Sequence, residues 1–291
     1  MENDLTMEEI KRVTKLFQRN NTLGDDGFSV EFYEVFLDLL GGNLLDCYNE
    51  VFHENQLSIS QRRGIISLIP KSKENLKEIT CWCPITLLNV DYKILARIIA
   101  TCIKPSLPTL IYSDQTGFIK GSYIAQNIRL LGDLMNFTNT KKIPGILLFI
   151  DFEKAFDTLE WSFLHQALEI FNFGPKIRKW VSILYNNIES GVINGRYMTN
   201  YFKVSVGIRQ GCPSSPLFVL AVEILALKCH HDPDCKGIIL PNSHEARLTQ
   251  FADDTTVISS TIASLKTSPQ IINSFGALSG LNLNKTKTKI M

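Results

Sequence analysis

Three aspartates, Asp151, Asp253 and Asp254, are the residues of this sequence best placed by type and spacing to do chemistry. Asp151 follows a short, wholly apolar run, Gly145 to Ile150, which reads as a buried strand. Asp253 and Asp254 fall in the turn of a strand–turn–strand ribbon expected over Arg247 to Ser259. If strand and ribbon are neighbours in one sheet, three carboxylates converge at one edge. Crowded carboxylates repel and push at least one pKa upward. A divalent cation relieves the repulsion. Hard oxygen ligands favour Mg2+, which keeps waters and accepts phosphate oxygens. Two such ions about 3.5–4 Å apart clamp the attacking and leaving oxygens of an in-line phosphoryl transfer. The expected chemistry is metal-assisted nucleotidyl transfer. Paired aspartates in a turn also have a plain explanation, because Asp side chains cap turns, and spacing alone does not choose between the two.

The elements that must position these groups belong to an ordinary globular chain. It has 291 residues, 45% apolar and 20% charged, enough for one large or two medium domains. Net charge is only +1, whereas phosphate neutralisation usually makes nucleic-acid enzymes more basic. Basic character is confined to clusters: Arg62 with Arg63, Lys71 with Lys73, and Lys285, Lys287 and Lys289. Seven cysteines, odd in number and irregularly spaced, follow an acidic start that lacks the apolar core of a secretory leader. Reduced thiols in the cytoplasm or nucleus, without secretion, are expected. Cys229, His230, His231 and Cys235 fit no common structural zinc spacing, so a surface loop is expected there. Leu217 to Leu227 contains Glu223 and is too short to span a bilayer, so no membrane partner is expected.

Along the chain, Thr6 with Glu9 forms a capping box for a helix to about Arg19. A turn is expected at residues 24–27 and one or two helices from Val30 to Phe52. A strand should run from Gly64 to Ile69, ended by Pro70. Helices are expected at Tyr92–Ile103, Ile124–Phe137 and Leu159–Phe171, from Pro175 to near Asn187, and from Pro216 to about Lys228. Asn194-Gly195 marks a hairpin between Val192-Ile193 and about Phe202–Val204. A last helix should cover about Pro269 to Leu278, ended by Gly280. This order predicts an α+β fold with an antiparallel sheet core in the C-terminal half.

Phe251-Ala252-Asp253-Asp254 resembles the [FY]-A-D-D motif of reverse transcriptases, and Phe149 through Asp157 resembles their first palm motif. Gly207 through Pro213 with Ser215-Pro216 resembles the motif lying between those two. Asp26-Gly27-Phe28, Leu68 through Lys71, Pro84-Ile85 with Leu87 through Asn89, Asp91 through Leu95, Asp114 through Phe118 and Leu283-Asn284 through Thr288 resemble motifs of the non-LTR (LINE-type) branch. The ordered set covers nearly the whole chain. It implies fingers and palm of a right-hand polymerase without a thumb: fingers at 1–143, and palm at 144–291 with about 158–204 folding back toward the fingers. The implied activity is RNA-directed DNA polymerisation, using two Mg2+ ions (Mn2+ as substitute), an RNA template, a DNA primer and dNTP. By resemblance, Asp151, Asp253 and Asp254 would bind the metals, and Lys287 would protonate pyrophosphate. Phe156 would crowd a ribose 2′-OH, and Lys71, Arg209, Gln210 and Gly211 would contact nucleotide and template.

Two departures favour a second expectation, an inactive relic that keeps the fold and at most binds nucleic acid. Cys83 stands where the family has an arginine that contacts the triphosphate. A thiol cannot replace a guanidinium fork, at a cost of about 1.5–3 kcal/mol. The segment Ser215 to Phe218 is one residue shorter than the family pattern, which would turn the following helical side chains by about 100° unless the cap absorbs it.

Overall fold

The computed structural model describes residues 4–71, 76–209, 212, 215–241 and 243–291. In chain order, α1 (Met7–Thr14), α2 (Val30–Glu54) and α3 (Ile59–Arg62) precede β1 (Arg63–Pro70) and β2 (Trp82–Leu88). Next come α4 (Val90–Ile103), α5 (Leu107–Leu110), α6 (Ile124–Lys141) and β3 (Ile146–Ile150). After them lie α7 (Ala155–Thr158), α8 (Trp161–Ile170), α9 (Pro175–Tyr185), β4 (Glu189–Asn194), β5 (Tyr197–Met198) and β6 (Phe202–Lys203). The last stretch holds α10 (Ser215–His231), β7 (Ile238–Ile239), β8 (Glu245–Ala246), β9 (Leu248–Phe251), β10 (Asp254–Ser259), α11 (Ile262–Ser279) and β11 (Lys289–Ile290). The fold is α+β, in two compact units: Met1–Ile103 with Asn172–Ser214, and Lys104–Phe171 with Ser215–Met291.

In the first unit, α1, α2 and α9 pack around α4, which buries Tyr92, Ile94, Leu95, Ile98, Ile99 and Ile103. Beside them lies a sheet of order β2-β1-β4-β5, with β6 also on β4. The pairing of β1 with β4 is parallel, Gly64 opposite Ser190 and Ile66 opposite Val192. Sequence reading expects β1 and strands near 192–193 and 202–204, but neither β2 nor the pairing of β1 with β4; β2 contains Pro84, which argues against an interior strand. The conflict disappears because β2 is an edge strand, where a missing N–H costs nothing. The 194–195 turn is a hairpin, but its returning strand begins at Tyr197, closer than expected, and Gly195 supplies the positive φ of +61°.

In the second unit, β11-β3-β10-β9 form an antiparallel sheet. Leu134, Leu147, Ile238, Ala246 and Ile258 pack under it. α10 is apolar nearly all round, burying Leu217 through Glu223, as expected of a helix enclosed by neighbours; α8 and α11 pack against it.

Two helix boundaries differ from expectation. α1 stops at Thr14 rather than near Arg19, because the next residues turn to α2. There Arg19 pairs with Glu34 at 2.8 Å, and Asn20 adopts φ +59° while donating its N–H to Glu31. α11 begins at Ile262, not near Pro269, capped by Thr261, with Pro269 inside it. A proline there removes one helical hydrogen bond, the one to the Leu265 carbonyl, and the helix continues through it to Ser279. Cys229 and Cys235, expected on a surface loop, are buried, because Cys229 lies on the inward face of α10. Among the described residues, no helix is long and apolar enough to cross a membrane.

Candidate active site

The register of β10 on β3 sets Thr255 opposite Ile150, so Asp254 and Asp151, the next residue on each strand, lie side by side at the same sheet end. Phe251 and Asp254 pair across a two-residue turn formed by Ala252 and Asp253. Asp253 is partly buried and Asp254 exposed. Burial above all, then repulsion from Asp254 and Asp151, holds the Asp253 carboxyl above the usual range. The strand and the acidic turn are thus neighbours in one sheet, as the sequence led one to expect.

The segment after α11 closes the other side of Asp151. Asn284 N–H donates to the Asp151 carbonyl at 2.8 Å, and Glu153 N–H donates to the Asn282 carbonyl at 2.9 Å. β11 then continues along β3 at Phe149 and Leu148. This path brings Lys287 Nζ to 3.6 Å from Asp151 Oδ2. Asp151 Oδ2 is buried, yet has no hydrogen-bond partner among the described residues.

Among the described residues, no group of three His, Cys, Asp or Glu is gathered tightly enough to hold a metal ion by itself. The donor chemistry nonetheless fits Mg2+. The donors are hard carboxylate oxygens, one buried without a hydrogen bond and one carboxyl raised by burial and then by its acidic neighbours. Mg2+ is commonly held by one or two carboxylates, with waters and substrate phosphates completing the shell.

Beyond Asp151 the backbone turns at Lys154, φ +47°, into α7. Phe156 on that short helix stacks on Phe218 of α10, ring centroids 4.1 Å apart, so its ring is fixed by packing.

The remaining site residues belong to the first unit. Lys71 extends the β1–β2 ladder, its N–H donating to the Cys81 carbonyl at 2.8 Å, and is exposed. Cys83 is exposed on β2, opposite Ile69. Arg209 is buried rather than presented to solvent. Its Nη1 donates to the Gln61 carbonyl at 3.3 Å and its guanidinium lies over the Tyr92 ring. Gln210, Gly211 and Lys73 lie outside the described residues. Arg63, one of the basic cluster residues, is tied to Glu189 at 3.1 Å. A cleft of about 540 Å³ is lined by Phe17, Thr86, Lys93, Arg97 and Cys212. Burial lowers the pKa of both Lys93 and Arg97, and neither has an ion pair among the described residues.

Sequence reading missed a buried polar network in the second unit. Glu223 is fully buried; its Oε1 accepts from Tyr112 N–H at 2.9 Å, and burial pushes its carboxyl up to about 8. Nearby, His230 Nε2 and Asp114 Oδ2 are 2.6 Å apart and Tyr112 stacks on the imidazole. The available signal was a lone carboxylate inside the apolar run of α10.

Comparison with known proteins finds similar chains. The family profile for reverse transcriptase (RNA-dependent DNA polymerase) matches residues 69–291. The uncharacterized 149 kDa protein of transposon TX1 from Xenopus laevis is 30% identical over 290 residues, covering 99% of this chain and 22% of that protein. The retrovirus-related Pol polyprotein from type-1 retrotransposable element R2 of Nasonia vitripennis is 24% identical over 265 residues, 91% of this chain and 25% of that protein. The chain thus spans about a quarter, or less, of the curated relatives it matches. Telomerase from Candida albicans, solved in complex with a TWJ fragment of telomeric RNA, superposes with a TM-score of 0.57 at 13% identity, over 91% of this chain and 46% of that one. That likeness concerns the fold.

Proposed function

The chain belongs to the reverse transcriptase family, and from that premise we propose that it is an RNA-directed DNA polymerase domain of the non-LTR retrotransposon type. In this reading a primer 3′ oxygen attacks the α-phosphate of a dNTP, the bond to the β-phosphate oxygen breaks, and pyrophosphate leaves. The observation that carries the proposal is the β3–β10 register, which sets Asp151 beside the acidic turn. Asp151, Asp253 and Asp254 would hold two Mg2+ ions. Bound there, the metals supply charge neutralisation at the reacting phosphate. The protein otherwise positions the reactants. Lys287, beside Asp151, is the proposed proton donor to pyrophosphate. Phe156, fixed against Phe218, is the proposed barrier to a ribose 2′-OH. The first unit is read as fingers, taking in 172–214 but not the 104–143 expected there; Lys71 would serve the triphosphate and the Lys93–Arg97 cleft nucleic-acid phosphates. The second unit is read as palm. Arg209, being buried against Tyr92 and Gln61, would act as a structural residue rather than a direct substrate contact. The cytoplasm or nucleus is the proposed location.

The test is primer extension on an RNA template with dNTP and Mg2+. The chain should extend the primer and Asp253→Ala should not, at equal folded fraction by circular dichroism. Equal extension by both would refute the assignment. Exposed Cys83 favours a second reading, a folded but inactive relic. That reading gains if neither the chain nor Cys83→Arg extends a primer at saturating dNTP.

A further inference from the structure

The acidic turn is held from behind by a segment 137 residues earlier in the chain. Ala252 has φ +56°, a left-handed conformation that costs a residue with a Cβ about 1–2 kcal/mol. Gln115, 2% exposed, grips this residue on both sides. Its Oε1 accepts the Ala252 N–H at 2.9 Å, and its Nε2 donates to the Ala252 carbonyl at 3.2 Å. The same Oε1 accepts Gly117 N–H at 2.8 Å, so the amide cannot rotate without losing several bonds.

Residues around Gln115 fix the strand that feeds the turn. Thr116 N–H and the Asn127 amide both donate to the Gln250 carbonyl, at 2.9 and 2.7 Å. Gln250 N–H donates to the Asp114 carbonyl at 2.7 Å. At Gly117 the approach is closer still: a Cβ there would lie 2.3 Å from Ala252 N. A side chain is excluded because backbone abuts backbone.

We propose that Gln115 is a positioning residue that holds the Ala252–Asp253 turn in its left-handed conformation and thereby sets where the Asp253 carboxylate points. Gln115 bonds to Ala252 and Gly117, and acts on chemistry only through the backbone preceding Asp253. The proposal rests on Asp253 being catalytic. Its first readout, the exchange of the Ala252 amide, does not.

The experiment uses the full chain and a graded pair of variants. Gln115→Glu keeps an acceptor for both N–H groups and loses the donor to the Ala252 carbonyl. Gln115→Met removes all three bonds at similar volume. Hydrogen exchange across 249–256, read by mass spectrometry without substrate, should quicken at Ala252 in the order Gln, Glu, Met. In primer extension kcat should fall in the same order, by about 100-fold for Met if the carboxylate moves by about 1 Å. The KM for dNTP should change little, since no interaction with bound substrate is removed. Unchanged exchange in both variants overturns the clamp. Quickened exchange with unchanged kcat overturns its positioning role. A rise in KM with constant kcat does the same. If Gln115→Met fails to fold, Gln115→Glu alone decides on the same criteria. If the unaltered chain extends no primer, the polymerase reading falls and the exchange series alone judges the clamp.

Discussion

Glu223 and Phe156 show how differently a buried carboxyl and a packed ring serve one unit. Glu223 is buried in an apolar helix, where ionisation is penalised, and its carboxyl sits at about 8. Its folded pKa lies above the unfolded value of 4.5, so the protonated acid is favoured by folding. That contribution is complete below the unfolded pKa and is lost as pH rises through about 8. Glu223→Gln keeps an acceptor for Tyr112 N–H and removes the titration. The variant's unfolding free energy should match the parent's near pH 4 and exceed it increasingly toward pH 8, by an amount on the order of a few kcal/mol, with its melting temperature rising in step. Thermal melts across that range check it, and parallel curves would remove Glu223 as the cause. Phe156 is held by Phe218, so truncation opens space beside that ring. Phe156→Ala should raise ribonucleotide incorporation relative to dNTP by at least about tenfold. A competition assay with mixed nucleotides measures the ratio, and an unchanged ratio would return Phe156 to plain packing.

At the scale of elements, legibility followed local chemistry. Thr6 and Glu9 announced α1, the apolar run announced β3, and Gly280 announced the end of α11, where it adopts φ +79°. The neighbourhood of Asp151 and Asp253 was legible too, since a buried strand and an acidic ribbon invite pairing. The long-range pairing within the first unit's sheet was not legible. Its parallel β1–β4 contact joins residues about 126 positions apart, and nothing local encodes such a partner. The motif around Gln115 gives that residue no mechanical role, because its partner Ala252 is equally remote. Gln210 and Gly211 remain matters of resemblance. The hairpin β1–β2 now gives the Cys83 departure a geometry. Cys83 opposes Ile69, and Lys71, two residues on, shares that strand face. A guanidinium at 83 would therefore join the Lys71 ammonium on one side of the hairpin. Cys83→Arg should lower the KM for dNTP or raise kcat/KM by about ten- to hundredfold. Steady-state primer extension over a dNTP series checks this, and no gain would mean that the cysteine is not the limiting defect.

Across the whole molecule, a net charge of +1 supplies no general field to draw in a polyanion. Affinity for RNA must then come from local cations whose charge is not already neutralised. Arg63, Arg247 and Lys176 are held by Glu189, Glu245 and Asp4. Lys93 and Arg97 differ. They stand one helical turn apart on α4, both lining the same cleft. The Arg97 guanidinium lies over the Phe17 ring and its Nε is buried without a hydrogen bond among the described residues. Asp26 lies near enough to steady the Lys93 charge. Burial that disfavours these charges is offset if phosphates enter the cleft. Each phosphate contact on a single strand releases counterions and adds about 0.7 to the slope of log affinity against log salt. Arg97→Ala should therefore weaken single-stranded RNA binding to a similar degree for unrelated sequences, and flatten that slope by about 0.7. Fluorescence anisotropy across a salt series measures both. A loss of affinity confined to one sequence would instead mean base recognition. An unchanged slope would mean that the strand does not pass this cleft.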